Sequence, residues 1–160
     1  MSTVATISLR PAALTDAEVI FGWRNHPLIV RLGSSQRQVS WEEHVRWLTE
    51  SLASERHRLF IIQWEDVAIG QVRFHRWQSS ECVISVYLAP EFTGNGWGVE
   101  AIRQACDVIF ESWTVNSVVA CVRAENHGAQ AAFRKAGFEA EENRCGAGHF
   151  SFLLHRSAKP

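Results

Sequence analysis

The sequence of 160 residues lacks an excess of either charge and lacks any long apolar run. Its 16 Lys and Arg residues nearly balance its 17 Asp and Glu residues, so the formal net charge is −1. Nucleic-acid binding needs a basic surface that releases counterions, and this balance predicts no nucleic-acid partner. No apolar stretch approaches the length of a membrane span, and the N-terminus lacks the pattern of a signal peptide. We therefore expect a cytoplasmic protein without a membrane association.

Paired cysteines of the kind that hold metals are also missing. None of the four cysteines, Cys82, Cys106, Cys121 and Cys145, forms a CxxC or CxxxC pair. This spacing predicts no metal site. Three of the four lie in apolar runs, where a buried thiol is the usual state. A chain of this length can build a core without covalent links, so we expect no disulfide framework either.

Tyrosine is scarce, although other aromatic residues are plentiful. The chain has seven Trp and nine Phe residues but a single tyrosine, Tyr87. The apolar fraction of 46% and the charged fraction of 21% are those of a globular protein. We interpret residues 1–160 as one domain.

Periodicity and capping signals predict a mixed α/β sheet with helices on both faces. Thr15 or Asp16 suits the start of a first helix, which Pro27 would end. Ser40 and Glu43 form a capping box for the second. The predicted order is β-α-α-β-β-β-α-β-α-β-β. The strands fall near 7–10, 59–64, 67–77, 82–88, 117–122, 138–143 and 149–155, and the helices near 15–26, 40–52, 97–113 and 126–136.

A glycine-rich turn between a strand and the longest helix is the most informative segment. Gly94, Gly96 and Gly98 allow backbone N–H groups to point inward, and a helix N-terminus adds free donors and partial positive charge. These features indicate a cradle for a pyrophosphate. The segment lacks the Lys of a Walker loop, and Val99 stands where a dinucleotide fingerprint needs its third glycine.

Two segments resemble the GNAT family of N-acetyltransferases. The run from Thr93 to Gly98, preceded by Leu88-Ala89-Pro90, is similar to the acyl-CoA loop of that family, although Thr93 replaces the usual Gln or Arg. The run from Val122 to Asn126, followed by Ala129, Phe133 and Lys135-Ala-Gly-Phe138, is similar to a second family segment. The alternative interpretation of the first segment alone is a structural turn.

The resemblance implies a GNAT fold over nearly the whole chain, with acceptor-side helices at about 13–54 and an acetyl-CoA-binding core at about 82–138. It implies acetyl-CoA as cosubstrate, no metal, and direct attack by a primary amine. The residues expected to bind the cofactor are Val86, Tyr87, Leu88, Thr93, Gly94, Asn95, Gly96, Trp97, Gly98, Val99, Asn126 and Phe133. Family members often pair, so the resemblance also predicts a homodimer.

The proton chemistry is the least defined part of this interpretation. An ammonium group must lose a proton before it attacks, and His75 and Glu81 are the candidate bases beside the central strands. The family often protonates the departing thiolate with a tyrosine at the position that Phe133 occupies here. Tyr87 or solvent is then the candidate acid. For each of these candidates, a structural role is the alternative.

The N-terminal third resembles N-acetyltransferases that act on amino-sugar nucleotides. The residues that carry this resemblance, and that we expect to bind the acceptor, are Trp23, Arg24, Asn25, Arg31 and His44. Arginine matches phosphate geometry, and tryptophan stacks on a base or sugar. The alternatives are acetylation of a protein N-terminus or of an aminoglycoside-type amine, and a domain that binds acyl-CoA without turnover.

Overall fold

A computed structural model describes residues 6–33, 35–78 and 80–157 of the chain. Seven strands form one sheet in the order β1-β2-β3-β4-β5-β7-β6. The strands are β1 (Ile7–Pro11), β2 (His57–Trp64), β3 (Val67–Arg76), β4 (Glu81–Leu88), β5 (Ser117–Arg123), β6 (Glu139–Glu141) and β7 (His149–His155). The helices are α1 (Ala17–Arg24), α2 (Pro27–Leu32), α3 (Trp41–Ala53), α4 (Trp97–Ser112) and α5 (His127–Lys135).

The sheet is mixed, as the sequence predicts. Strands β1 to β4 form an antiparallel meander, and α4 then crosses over so that β5 runs parallel to β4. The last strand, β7, lies between β5 and β6 and is antiparallel to both. The predicted α/β class is confirmed.

Each face of the sheet carries helices because successive strand residues point to opposite sides. In β2, Leu59 and Ile61 belong to a core with α1 and α3, whereas Ile62 belongs to a larger core with α4 and α5. Leu48 of α3 and Ile109 of α4 are fully buried on these two sides. We call the side that packs against the first three helices the α1–α3 face.

One helix is additional to the predicted order. The sequence predicts that Pro27 ends the first helix, and α1 does end before it, at Arg24. However, Pro27 then occupies the first turn of a second short helix, α2. A proline is favourable there because that N–H has no partner within a helix. The ring Nδ1 of His26 accepts a hydrogen bond from Leu28 N and caps the new helix.

The expectation of no disulfide was wrong. Cys121 of β5 and Cys145, in the connection between β6 and β7, are bonded, with their Cα atoms 5.6 Å apart. The pairing of Cys121 with Ser151 brings that connection beside β5, which the sequence separation of 24 residues does not reveal. Cys82 and Cys106 are free, buried thiols, as expected. Burial raises the pKa of Cys82 to about 12.

Candidate active site

The central feature of the site is a gap between the two parallel strands. Strands β4 and β5 pair from Glu81 with Ser117 as far as Ile84 with Ala120, and their pairing stops there. Strand β4 continues to Leu88, held on its other side by β3. The two strands therefore separate from Ser85 onward, and one edge of β4 is left without a strand partner.

Backbone groups of β4 point into this gap. The N–H of Ala89 donates to Ile69 O on β3, at 2.8 Å, so Ala89 directs its backbone groups away from the gap. Because these directions alternate along a strand, Tyr87 shares that orientation, whereas Val86 and Leu88 direct theirs toward β5. The chain can thus offer the amides of Val86 and Leu88 to an extended ligand. Tyr87 therefore faces the site with its side chain and not with its backbone amide.

The glycine-rich turn adopts the conformation that only glycine accepts easily. Gly94 and Gly96 have φ values of 84° and 77°, in the left-handed region. Gly96 is the N-cap of the 16-residue helix α4, and no side chain caps this helix. The N–H groups of its first turn, from Trp97 to Val99, therefore remain available to an anion. Gly98 has no such conformational need.

Thr93, by contrast, is occupied within its own turn. Its hydroxyl donates to Pro90 O at 2.8 Å, and its N–H donates to the same oxygen at 3.3 Å. Neither group is free for a ligand. The cradle therefore depends on the backbone after Thr93, starting at Gly94.

Asn126 and Phe133 lie on the unit that follows β5. The Oδ1 atom of Asn126 accepts a hydrogen bond from Ala129 N and caps α5. Phe133 is only 3% exposed and packs edge-on against Phe138, with ring centroids 5.0 Å apart. The position where the family often carries a tyrosine is therefore an apolar part of the core. Their roles toward a cofactor stay predictions.

An aromatic cluster beneath the turn was not predicted. Trp64, at the end of β2, stacks on Trp97 of α4 with centroids 5.3 Å apart, and Phe92 packs on the same indole. These contacts fix the first residue of the helix whose N–H groups form the cradle. Trp64 is the last residue of β2 and pairs with Ile7 of β1. Its position could be predicted only once the end of β2 and this pairing were known.

The single tyrosine points its hydroxyl at a glutamine on the next strand. Tyr87 donates to Gln71 Oε1 at 2.6 Å, and burial raises the pKa of Tyr87 well above its usual value. The phenol therefore stays protonated at neutral pH. Gln71 is 2% exposed, and its Nε2 atom has no partner among the described residues.

The two candidate bases occupy different surroundings. Burial lowers the pKa of His75, with further lowering by Arg73 and His57, so its imidazole is neutral at pH 7. Glu81 lies at the closed end of the β4–β5 pair. Both of its oxygens accept from Arg144, at 2.7 and 2.9 Å. These hydrogen bonds lower the pKa of Glu81 and engage it in a structural network. His75 pairs in register with Val83, which is also within the paired part of β4 and β5, and its role as a base stays a prediction.

Several predicted acceptor residues have structural contacts instead. Trp23 is 9% exposed and packs against Tyr87. Both amide atoms of Asn25 are bonded to the backbone of Val39, at 2.8 Å each. Arg31 is exposed on α2, where its carbonyl accepts from Gln36. Trp23 is therefore buried against Tyr87 and Arg31 is exposed, and their roles toward an acceptor stay predictions.

His44 holds Arg24 in place. His44 is fully buried, and its Nε2 donates to Ala17 O at 2.7 Å. Its Nδ1 is then the acceptor for Arg24 Nη1, at 3.1 Å. This tautomer follows from the partners. Burial lowers the pKa of His44, and the Arg24 charge lowers it further, so the ring is neutral.

A second arginine, which is not among the predicted acceptor residues, joins Arg24 on the α1–α3 face. The Cζ atom of Arg24 lies 4.5 Å from the ring centroid of Trp47, and that of Arg73 lies 5.3 Å from the same ring. Arg73 pairs in register with Ser85, the residue at which β4 and β5 separate. Arg73 is therefore level with the start of the gap, with β4 between them.

The fold and this site define an N-acetyltransferase of the GNAT type. The profile described as "Acetyltransferase (GNAT) domain" matches residues 6–139. The chain belongs to this family, and acetyl-CoA is its cosubstrate. The splayed strand edge and the uncapped glycine turn fit the pantetheine and pyrophosphate of that molecule. The described ranges contain no metal-binding group of three or more His, Cys, Asp or Glu side chains, and no helix long and apolar enough to cross a membrane.

Three relatives illustrate the range of similar proteins. Acetyltransferase PseH of Campylobacter jejuni is 28% identical over 125 residues, which is 77% of this chain and 76% of PseH. A crystal structure of Campylobacter jejuni PseH has a TM-score of 0.72 at 21% identity, covering 94% of this chain and 99% of that one.

The other two relatives are similar in fold at lower identity. The aminoglycoside acetyltransferase AAC(6')-Ib, in complex with paromomycin and acetyl-CoA, has a TM-score of 0.83 at 19% identity over 94% of both chains. Spermidine N-acetyltransferase of Vibrio cholerae, in complex with CoA and spermine, has a TM-score of 0.80 at 18% identity, covering 93% of this chain and 95% of that one.

Proposed function

We propose that this enzyme acetylates the primary amine of an amino sugar carried on a nucleotide. The similarity to PseH supports this acceptor class. An alignment of 125 residues is longer than everything from Glu81 to the C-terminus, so it takes in acceptor-side structure as well as the cofactor-binding core. The similarity therefore supports the acceptor class through the N-terminal part of the chain as well.

The charge of the α1–α3 face is the observation that carries the proposal. Arg24 and Arg73 lie together on the α1–α3 face, and Arg73 makes no hydrogen bond or ion pair with any described residue. Glu43, the carboxylate that partly offsets Arg24, is itself paired with Arg37 at 3.2 Å. Aminoglycosides and polyamines carry several ammonium groups, which such a surface repels. A phosphorylated acceptor suits it.

The reaction forms a bond between the amine nitrogen and the acetyl carbon, breaks the carbon–sulfur bond, and moves one proton away from the amine. The chain contributes positioning through the amides of Val86 and Leu88 and through the glycine turn. The nearby guanidinium groups disfavour an ammonium ion, so they lower the pKa of an amine bound beside them. Neutral His75 is the candidate to receive its proton.

A panel of amines tests the proposal. The purified protein is incubated with acetyl-CoA and with a UDP-linked 4-amino sugar, paromomycin, spermidine or a peptide with a free N-terminus. We expect thiol release and a singly acetylated product with the UDP-linked sugar, at a kcat/KM about a hundredfold above the others. Faster acetylation of the peptide or of either polycation would refute the proposed acceptor. His75→Gln should lower kcat most at neutral pH and least at the acidic end of the pH profile, where the wild-type imidazole is itself protonated.

A further inference from the structure

We propose that Arg24 and Arg73, stacked on Trp47, form a subsite for a phosphate group of the acceptor. This inference rests on the proposed function, because it concerns how the same site holds the same acceptor. The phosphate has two possible sources, the nucleotide diphosphate of a sugar nucleotide or the phosphate of a simple sugar phosphate. Their shared chemistry is a compact anion that accepts several hydrogen bonds.

The first argument is that most N–H donors of these two guanidinium groups have no partner among the described residues. Arg24 has one hydrogen-bond partner, His44 Nδ1, and Arg73 has none among the described residues. An arginine that is partly buried without a carboxylate is costly, because charge taken from water needs compensation. Burial accordingly lowers the pKa of both groups, yet arginine stays charged at neutral pH. An anion in this place would compensate both charges.

The second argument is that a buried amide donor lies beside them. Gln71 precedes Arg73 by two residues on β3, so both side chains lie on the α1–α3 face. Its Nε2 atom is buried and has no partner in the part of the chain that the structure describes. Buried polar atoms of this kind normally find a partner, and a bound ligand is one way to supply it.

The third argument is that the two guanidinium groups are held in advance. The Trp47 ring contacts both, at 4.5 and 5.3 Å, and neutral His44 fixes Arg24 from behind by accepting from it. Like charges would otherwise separate the two side chains. A prearranged pair loses less conformational entropy on binding than two free side chains do. Trp47 and His44 are therefore positioning residues.

The location of the pair suits an acceptor whose amine must reach the thioester. Arg73 is level with Ser85, where β4 and β5 separate. Arg24 and Trp47 also line a cleft of about 290 Å³, together with Arg37, Val39, Arg46 and the two carboxylates Glu43 and Glu50. A nucleotide in that cleft would direct its phosphate to Arg24, beside Trp47, the ring that Arg73 also contacts. Arg31 is exposed on α2.

Binding of nucleotides without turnover is the direct test. Calorimetry with UDP, in the presence of saturating CoA to block the cofactor cradle, measures the subsite alone. We expect Arg24→Gln and Arg73→Gln each to weaken UDP binding roughly ten- to hundredfold. Arg58→Gln removes a guanidinium from the opposite face of the sheet and serves as the matched control. UDP affinity that falls with Arg31→Gln, but not with Arg73→Gln, would overturn the proposal.

Steady-state kinetics then identify the source of the phosphate. The acceptors are a UDP-linked amino sugar, the corresponding amino-sugar phosphate and the free amino sugar. We expect both variants to raise KM for the two phosphorylated acceptors by the same factor as in calorimetry, with little change for the free sugar and for acetyl-CoA. An equal loss with all three acceptors would show a general structural role and overturn the subsite.

The two proposals can fail separately. UDP binding that depends on Arg73, without acetylation of any sugar, would refute the proposed function and keep the subsite. If the enzyme acetylates the UDP-linked sugar, and Arg24→Gln and Arg73→Gln leave that activity unchanged, the subsite is refuted and the proposed function is kept. If the glutamine variants do not fold, Arg73→Lys keeps the charge and loses the planar fork. UDP affinity equal to wild type in that variant would contradict a hydrogen-bonding role.

Discussion

Gly70 occupies a place on β3 where β4 approaches too closely for any side chain. A Cβ atom there would collide with the carbonyl oxygen of Tyr87, and it would lie 2.9 Å from Leu88 Cα and 3.0 Å from Leu88 Cδ2. Two of these neighbours are backbone atoms, which cannot rotate away. In Gly70→Ala, the end of β4 must therefore shift toward the gap.

The size of the shift follows from these distances. Ordinary contact with Leu88 Cα begins at 3.4 Å, so β4 must move by at least about 0.5 Å, and further to clear the carbonyl oxygen of Tyr87. Overpacking of this kind costs about 1–3 kcal/mol in the free energy of unfolding. For a protein of this length the melting temperature then falls by ~2–12 °C. The displaced amides of Val86 and Leu88 should raise the KM for acetyl-CoA by about tenfold, since a 1 Å misplacement can cost about a hundredfold.

Differential scanning fluorimetry and initial rates at varied acetyl-CoA measure the two effects. Gly22→Ala is the matched control, because a Cβ atom at this position in α1 meets nothing within 4 Å. That variant should gain about 0.5–1 kcal/mol, since glycine disfavours a helix interior. Gly70→Ala with the melting temperature and the acetyl-CoA KM of the wild type would refute the argument that β4 positions the cosubstrate.

Three further predictions concern the turn, a cap and the disulfide. Gly96→Ala must hold alanine at a φ of 77°, which costs about 1–2 kcal/mol, and should weaken acetyl-CoA binding in calorimetry. Unchanged affinity would count against the cradle. Asn126→Ala removes the acceptor that caps α5 and should lower the free energy of unfolding, measured by chemical denaturation, by about 1 kcal/mol. Asn126→Ser keeps a capping oxygen and should retain most of that stability. Excess dithiol reductant should lower the stability by about 3 kcal/mol, because the disulfide closes a loop of 24 residues. The Cys121→Ser and Cys145→Ser double variant should melt at one temperature with or without reductant; a reductant effect in that variant would exclude the disulfide as its cause.

Elements with strong local signals could be predicted from the sequence. Ser40 caps α3 by accepting from Glu43 N, as its spacing indicates, and the glycine turn leads into α4 at Trp97. Helix α2 was missed because a proline is compatible both with the end of one helix and with the first turn of the next. What decided between them was the cap from the His26 side chain, which has no sequence signature of its own.

The site was less predictable because it depends on sheet register. Spacing on α1 and α3 correctly singled out Arg24 and His44, but it could not show that His44 is fully buried behind Arg24. That Arg73 is level with Ser85, and that both arginines contact Trp47, follows only from the sheet register and the packing of α3. Long-range pairing of this kind leaves no local periodicity in the sequence.

The position of β7 sets an order of events during synthesis. Strand β5, one wall of the gap, pairs with β4 over only four residues, but with β7 over seven. A nascent chain that has released β5 from the ribosome therefore still lacks the main partner of that strand. Non-local pairing is slow and leaves apolar edges exposed in the meantime. Affinity for acetyl-CoA should consequently appear only after His155 has emerged and β7 has paired with β5.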